Sequence, residues 1–423
     1  MMCTNRQKAK ACTVLLSKVF RRVNANHAVG QAKAPDASSA RAGHTRGPRK
    51  VVLIAEDVGG LGGMERQTAR LVSGLLDAGW GVTVVSRTCA LDPRDGLRFI
   101  RVPVPRRPFT LTYPAFALAA TLLATRRGNA LLHTTGGMVA NRADVSSVHY
   151  CHRAAQLTVG RRQARNMYIY RINSAIAARF AVAGEAWCYR PGRTRLLCAV
   201  SPGVARELRT HYPSMAHAIR TVPNGVDLSE FAPDEVARCE FRAALGIAAD
   251  KRLALFAGGD WPRKGLKHAV EALGLAPGWH LAVAGNGDAD AILAVAAAAG
   301  AAGRVHILGQ VRDMPKVYAS ADAFVFPTAY EAWPLAVLEA AATGLPLLVT
   351  PVSGAEDFVV NDFNGWLIRP DAADIARRLN ELARDPRVQA RMSEQARASA
   401  ADFTWETMIE GYLAVYGELI DNV

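Results

Sequence analysis

"KVVLIAEDVGGLGGMERQTARLVSGLLDAGWGVTVVSR", Lys50–Arg87, decides the fold. It opens on a β-branched apolar run, Val51–Ile54, and passes through the glycine-rich turn Val58–Gly63. Leu71, Leu75 and Leu76 then share one face of a 3.6-residue period that stops at Gly79, and a second β-branched run, Val82–Val85, follows. Strand, turn, helix, strand is the repeating unit of a parallel sheet covered by helices on both faces. The alternation continues outward, with strands expected at "LRFIRVPV" (Leu97–Val104), "NALLHT" (Asn129–Thr134), "VSSVHY" (Val145–Tyr150) and "LLCAVS" (Leu196–Ser201). After "TVPNGVD" (Thr221–Asp227) a second series begins: "RLALFAG", "WHLAVAG", "VHILG", "DAFVFP", "PLLVT" and "GWLI". The fold class is α/β, with two doubly wound halves joined near residues 210–225. Ligands of such folds sit outside the carboxyl ends of the strands, so the cleft between the halves is the expected site.

The 423 residues are enough for two domains. Half are apolar at a mean hydropathy of +0.05, which suits a soluble globular protein. The longest uncharged apolar stretch, Pro108–Thr125, is short for a membrane span and is broken by Thr110, Thr112, Tyr113 and Pro114. No signal peptide is expected, because the apolar run Thr13–Leu16 is too brief. Seven scattered cysteines without a C-x-x-C pair point to a reduced compartment.

The net charge of +14 divides as +10 over residues 1–50, +12 over 51–199 and −8 over 200–423. From Arg98 to Arg195, sixteen arginines face only Asp144 and Glu185. The first half is therefore expected to meet something anionic: nucleic acid, an acidic membrane surface or a phosphorylated substrate. Residues 1–48, rich in Ala, Arg, Ser and Gly, read as a basic, disordered tail.

Four loops would face the cleft. "VGGLGGMER" (Val58–Arg66) carries four glycines into a helix start, where backbone amides can approach an anion closely. It is neither G-x-G-x-x-G nor a P-loop, since Met64–Glu65 stands where the latter needs Lys and Ser or Thr. In "AGGDWPRKG", Arg263 and Lys264 lie between a strand end and a helix start and could clamp a diphosphate. Such pairs are ordinarily just solvated, but Pro262 and Gly265 give this loop a fixed shape. In "AGNGDAD", Asp288 and Asp290 cap a helix rather than bind metal. "HYCH", His149–His152, lacks a second ligand pair for zinc; one histidine serves as a polar contact in the cleft. Finally, "YEAWPLAVLEAAATGLP" (Tyr330–Pro346) sets Glu331 in a loop, Pro334 in the first turn of a helix and Glu339 about one turn further in. The amides of Leu335 to Val337 suit a phosphate, and carboxylates on either side suit adjacent hydroxyls of a sugar or a ribose.

From about Val51 onward these elements resemble glycosyltransferase family 4, retaining enzymes of GT-B fold. The resemblance is carried by Glu331 and Glu339, "VPNGVD", the "RKG" loop, "GLP" after the helix and "NDFNGWLIRP". The "GGDWPRKG" loop is nearest to lipopolysaccharide core glucosyltransferases. The resemblance implies an acceptor-binding Rossmann-like domain over 49–215, a nucleotide-sugar-binding one over 216–404, and a helix over 405–423 crossing back to the first. It implies that Glu339 binds the donor ribose, Glu331 the transferred sugar, and Lys264 with Arg263 the diphosphate. Gly259 replaces the arginine many members carry, which leaves Arg263 to supply the second cation. Gly62, Gly63, Trp333, Leu335 and Ala336 complete the donor contacts, and Gln310 and Val311 lie against the nucleobase. His149 matches the family's cleft histidine, with His152 the competing assignment.

The implied reaction transfers a sugar from a nucleotide diphosphate donor with retention, metal-independent and without a cofactor. Cations and a helix N-terminus would stabilise the leaving diphosphate. The expected acceptor is an anionic cell-envelope glycan or lipid-linked glycan. Peripheral contact with an acidic membrane surface, on the cytoplasmic face, would accompany it, with no specific nucleic acid. Another enzyme of the same architecture, such as a nucleotide-sugar epimerase, and a non-enzymatic binder of nucleic acid or another anionic polymer are the alternatives.

Overall fold

The computed structural model describes residues 49–60, 62–105, 109–159, 168–248 and 250–421; the expected basic tail, residues 1–48, lies outside them. In the first half, strands β1 (Lys50–Ile54), β2 (Gly81–Ser86), β3 (Leu97–Arg101), β4 (Leu131–Thr135), β5 (Ala143–Val148), β6 (Thr194–Ala199) and β7 (Ile219–Thr221) form one parallel sheet. Its order is β3-β2-β1-β4-β5-β6-β7. Val51 pairs with Val82 on one side and Leu131 on the other, so the two expected runs and the first crossover fall into register.

The second half repeats the plan with β8 (Arg252–Ala257), β9 (Trp279–Ala284), β10 (Val305–Gly309), β11 (Ala323–Phe326), β12 (Leu347–Val349) and β13 (Gly365–Leu367). Their order is β10-β9-β8-β11-β12-β13, again parallel throughout. In each sheet the winding reverses beside the first strand, between β1 and β4 and between β8 and β11. Crevices open at the carboxyl ends of strands at such reversals, and here those ends are Ile54 with Thr135 and Ala257 with Phe326.

Three helices position the site. Helix α1 (Gly63–Asp77) buries Leu71, Val72, Leu75 and Leu76 on the first sheet. Helix α2 (Leu335–Ala342) follows β11 and is apolar nearly all round, as a helix enclosed by its own half must be. Helix α3 (Trp405–Asp421) comes from the end of the described chain, yet Trp405, Met408, Tyr412, Val415, Tyr416 and Leu419 belong to the first half's core. Two of its tyrosines reach buried polar groups of that sheet: Tyr416 OH lies 2.6 Å from His133 Nδ1 and Tyr412 OH 2.6 Å from Ser147 Oγ. His133 Nε2 is itself 2.7 Å from Ser147 Oγ, so the four groups satisfy one another where water cannot. No helix among the described residues is long and apolar enough to cross a membrane.

Candidate active site

A cleft of about 1330 Å³ runs between the two sheets, walled by the loops that leave β1, β4, β5, β8, β9, β10 and β11. Glu331, Glu339, Arg263, Lys264, His149, His152, Gly63, Gly259, Gln310, Val311, Trp333, Leu335 and Ala336 all line it. Gly62 does not. It is the N-cap of α1, and a Cβ there would sit 1.9 Å from Glu65 Oε2.

Arg263 and Lys264 lie between β8 and the helix that starts at Leu266, as expected, and close a one-turn helix of their own, Trp261–Lys264. Asp260 at φ +52° and Gly265 at φ +73° bracket it, and Pro262 presets its backbone. A Cβ at residue 265 would lie 2.2 Å from the Pro327 carbonyl, so glycine is what lets this turn lie on the chain leaving β11. Arg263 is aimed by its neighbours: Nε meets Asp260 Oδ2 at 2.8 Å, and Nη1 donates to the Tyr330 carbonyl at 2.5 Å and to Glu331 Oε1 at 3.1 Å. Thr328 Oγ1 donates to the same carboxylate oxygen at 3.2 Å, and Lys264 Nζ stands 3.8 Å from it. Burial lowers the Lys264 pKa, with Glu331 opposing.

Pro334 is the cap residue before α2 rather than part of its first turn. Its carbonyl accepts from Val337 N at 2.9 Å, while the amides of Leu335 and Ala336, at the helix start, have no intrahelical acceptor. Glu339, only 7% exposed, offers Oε2 to Tyr318 OH at 2.9 Å and Oε1 to Arg66 Nη2 at 2.6 Å. Arg66 belongs to α1, so this ion pair spans the cleft. Burial holds His149 neutral, its pKa lowered to about 4, and its Nε2 has no hydrogen-bond partner among the described residues. The same holds for Trp333 Nε1 and for Asn224 Oδ1, the asparagine of "VPNGVD". With Arg66 Nε and Arg87 Nε, five buried polar atoms of the described cleft residues are left for a ligand, which marks a place built to hydrogen-bond something polar.

The described wall of the first half carries both signs of charge. Among the described residues, its ionisable groups on the cleft are Glu56, Asp57, Glu65, Arg66, Arg87 and Glu185, besides histidines and tyrosines, so acids outnumber arginines among them. Arg87 is held by Glu56 at 2.6 Å and Asp57 at 3.0 Å. Glu185 accepts from the His152 amide at 2.8 Å and Tyr212 OH at 2.9 Å, capping the helix His152–Val159, and burial raises its pKa. Of the described arginines between Arg98 and Arg195, Arg98, Arg101, Arg126, Arg142 and Arg179 are exposed and absent from the cleft wall. Sequence reasoning missed Arg66, Tyr318 and Glu185, and also Tyr330, whose hydroxyl crosses to Glu207 Oε2 at 3.0 Å. Arg66 alone had a local signal, since it lies one turn into the helix that the glycines open.

Comparison with known proteins agrees with this architecture. The family description Glycosyltransferase Family 4 matches residues 61–230, and Glycosyl transferases group 1 matches residues 237–399. A D-inositol 3-phosphate glycosyltransferase from Xylanimonas cellulosilytica is 28% identical over 424 residues, covering 88% of this chain and 97% of that protein. The UDP-Gal:alpha-D-GlcNAc-diphosphoundecaprenol alpha-1,3-galactosyltransferase of Escherichia coli is 32% identical over 189 residues, covering 42% of this chain and 48% of its own. Among solved structures, WaaG, a glycosyltransferase involved in lipopolysaccharide biosynthesis, superposes with a TM-score of 0.72 at 21% identity, over 86% of this chain and 98% of WaaG. That likeness shows the GT-B fold.

Proposed function

The chain belongs to glycosyltransferase family 4, and on that premise we propose that it is a retaining hexosyltransferase using a nucleotide diphosphate-sugar donor. One observation carries the proposal: Glu331, Glu339, Arg263 and Lys264 meet around the N-terminus of α2 at the floor of the cleft. Glu339 takes the ribose hydroxyls and Glu331 hydroxyls of the transferred sugar, because a carboxylate accepts from two adjacent hydroxyls at once. Between them the diphosphate lies on the Leu335 and Ala336 amides, facing Lys264 and Arg263. Negative charge grows on the leaving group as the glycosidic bond breaks, and these fixed donors stabilise it without reorganising, so no metal is invoked. Neutral His149 is a hydrogen-bonding partner for the sugar rather than a counter-ion.

For the acceptor, the acidic and aromatic first-half wall favours a hydroxyl-rich glycan end in the cleft. The anionic part of the molecule, a diphosphate-linked lipid or a phosphorylated core, then stays outside, near the exposed arginines. The helices Phe109–Ala124 and Tyr168–Cys188 pack together and expose Leu118, Leu122, Phe180 and Trp187. The guanidinium carbons of Arg190 and Arg193 stand 4.1 Å and 4.3 Å from the Trp187 ring centroid. Apolar side chains rimmed by arginine suit an acidic bilayer surface, which on this proposal is the cytoplasmic membrane face.

The test is a thermal-shift panel of nucleotide diphosphates and nucleotide sugars against the wild type and Glu339→Ala. A true donor raises the wild-type midpoint, by about 2.7 kcal/mol of stabilisation at a hundredfold excess over Kd, and the variant loses that shift. No shift with any nucleotide sinks the donor assignment.

A further inference from the structure

Resting on the donor site described above, we propose that Arg66 alternates between two anions: the Glu339 carboxylate, which it holds here, and the diphosphate of a bound donor. The ion pair stands where the ribose must bind. Glu339 Oε2 is taken by Tyr318 from its own half, while Oε1 is taken at 2.6 Å by an arginine arriving from across the cleft. A ribose donating both vicinal hydroxyls to Glu339 needs the cleft-facing lone pairs, which are those Arg66 uses. Nucleotide and arginine therefore compete for one carboxylate.

Arg66 has a second anion within its own neighbourhood. Gly63, one turn earlier on α1, lies so close to α2 that a Cβ there would be 3.1 Å from Leu335 Cδ1. The positive ends of both helices thus converge on the place assigned to the diphosphate. Arg66 Nε is buried and has no hydrogen-bond partner among the described residues, so the guanidinium still has a donor to give. A buried donor left unmade is costly, and one that is used in the donor complex recovers that cost. The arginine side chain is 38% exposed, which screens the pair and lets it exchange. One turn on, Arg70 stands 3.6 Å from both Asp227 and Glu230. Helix α1 keeps its hold on the second half while Arg66 changes partner.

This assigns Arg66 opposite effects on two parts of one ligand. Removing it frees Glu339 for the ribose and deprives the diphosphate of a cation. Calorimetric titration of the full chain with UDP, ADP and GDP and with uridine, adenosine and guanosine reads both, on the wild type, Arg66→Met and Arg66→Lys. For whichever diphosphate binds the wild type, Arg66→Met is expected to weaken it about tenfold or more. The matching nucleoside should bind as well as before or better, and Arg66→Lys should fall between. Equal weakening of diphosphate and nucleoside would reduce Arg66 to a structural tie, and an unchanged diphosphate affinity would remove it from the donor site; either overturns the proposal. If none of the three diphosphates binds the wild type, the donor site and this proposal fall together. If one binds in a Glu339-dependent, Arg66-independent way, the arginine proposal falls alone.

Discussion

Replacing Lys264 by methionine separates two roles of its ammonium. Nζ stands 3.8 Å from Glu331 Oε1, with the side chains only 17% and 15% exposed, and 4.9 Å from the Phe326 ring centroid. At an effective dielectric of about 20 that pair attracts by roughly 4 kcal/mol. Burial still wins, because the Lys264 pKa is lowered, with desolvation the largest cause and Glu331 the chief opposing one. The cation is held in the fold at a cost. Glu331 does not depend on it, since Arg263 Nη1 and Thr328 Oγ1 lie 3.1 Å and 3.2 Å from the same oxygen. Methionine fills a similar volume without a charge to desolvate. The urea midpoint of Lys264→Met should therefore equal or exceed that of the wild type. Diphosphate affinity should fall by about 10- to 150-fold, the worth of one charge-assisted contact. Turnover should drop about 10²- to 10³-fold, because the leaving group gains charge in the transition state. Urea unfolding and calorimetric titration with the stabilising diphosphate read the first two, and diphosphate release the third. A lowered midpoint with diphosphate affinity intact would refute the argument and make Lys264 a structural partner of Glu331.

Two further outcomes are expected. Burial lowers the His149 pKa to about 4, so between the ordinary histidine value near 6.5 and pH 4 the unfolded chain binds a proton that the folded chain refuses. Stability should fall as pH drops through that window, by up to about 3 kcal/mol from this group. Denaturant midpoints of the wild type and His149→Gln measured from pH 7 to 4 check it, and an identical slope in both would assign the loss to other groups. Leu118 and Leu122 are 64% and 62% exposed, so Leu118→Glu with Leu122→Glu should leave the thermal midpoint unchanged while cutting co-sedimentation with phosphatidylglycerol vesicles. Undiminished sedimentation would remove this face from the membrane contact.

The fold was legible because its signal is local. Each run such as "KVVLI" or "HLAVA" carries its own period and its own turn, and each became a strand at the expected place. Glu331, Arg263, Lys264 and His149 reached one cleft because the plan of a doubly wound sheet brings the loops after its strands together. The local shape of the Arg263–Lys264 turn was less legible. Asp260 and Gly265 both take left-handed backbone there, and it takes the contact with Pro327 to show why residue 265 is glycine. Arg66 with Glu339 and Tyr330 with Glu207 were invisible for a plainer reason. Their partners are 273 and 123 residues apart, and no periodicity spans that distance. A charge sum over residues says nothing of which face carries them: among the described residues, Arg98, Arg101, Arg126, Arg142 and Arg179 are exposed away from the cleft, while Glu56, Asp57, Glu65 and Glu185 line it.

Helix α3 also bears on the order in which the protein is made. The first sheet's strands leave the ribosome early, but their core includes Trp405, Met408, Tyr412, Val415, Tyr416 and Leu419, which come from the last helix. His133 and Ser147 must wait for Tyr416 and Tyr412, separated from them by 283 and 265 residues. The second half encloses its own apolar cluster without borrowing from the first sheet's strands. It can close while the first half still exposes a greasy groove, with His133 and Ser147 bonded to each other but each short of its tyrosine. Non-local contacts of this span slow folding and lengthen exposure to aggregation. A chain cut before residue 405 would therefore present a finished second half attached to a first half that is still sticky, and chaperone demand should concentrate there.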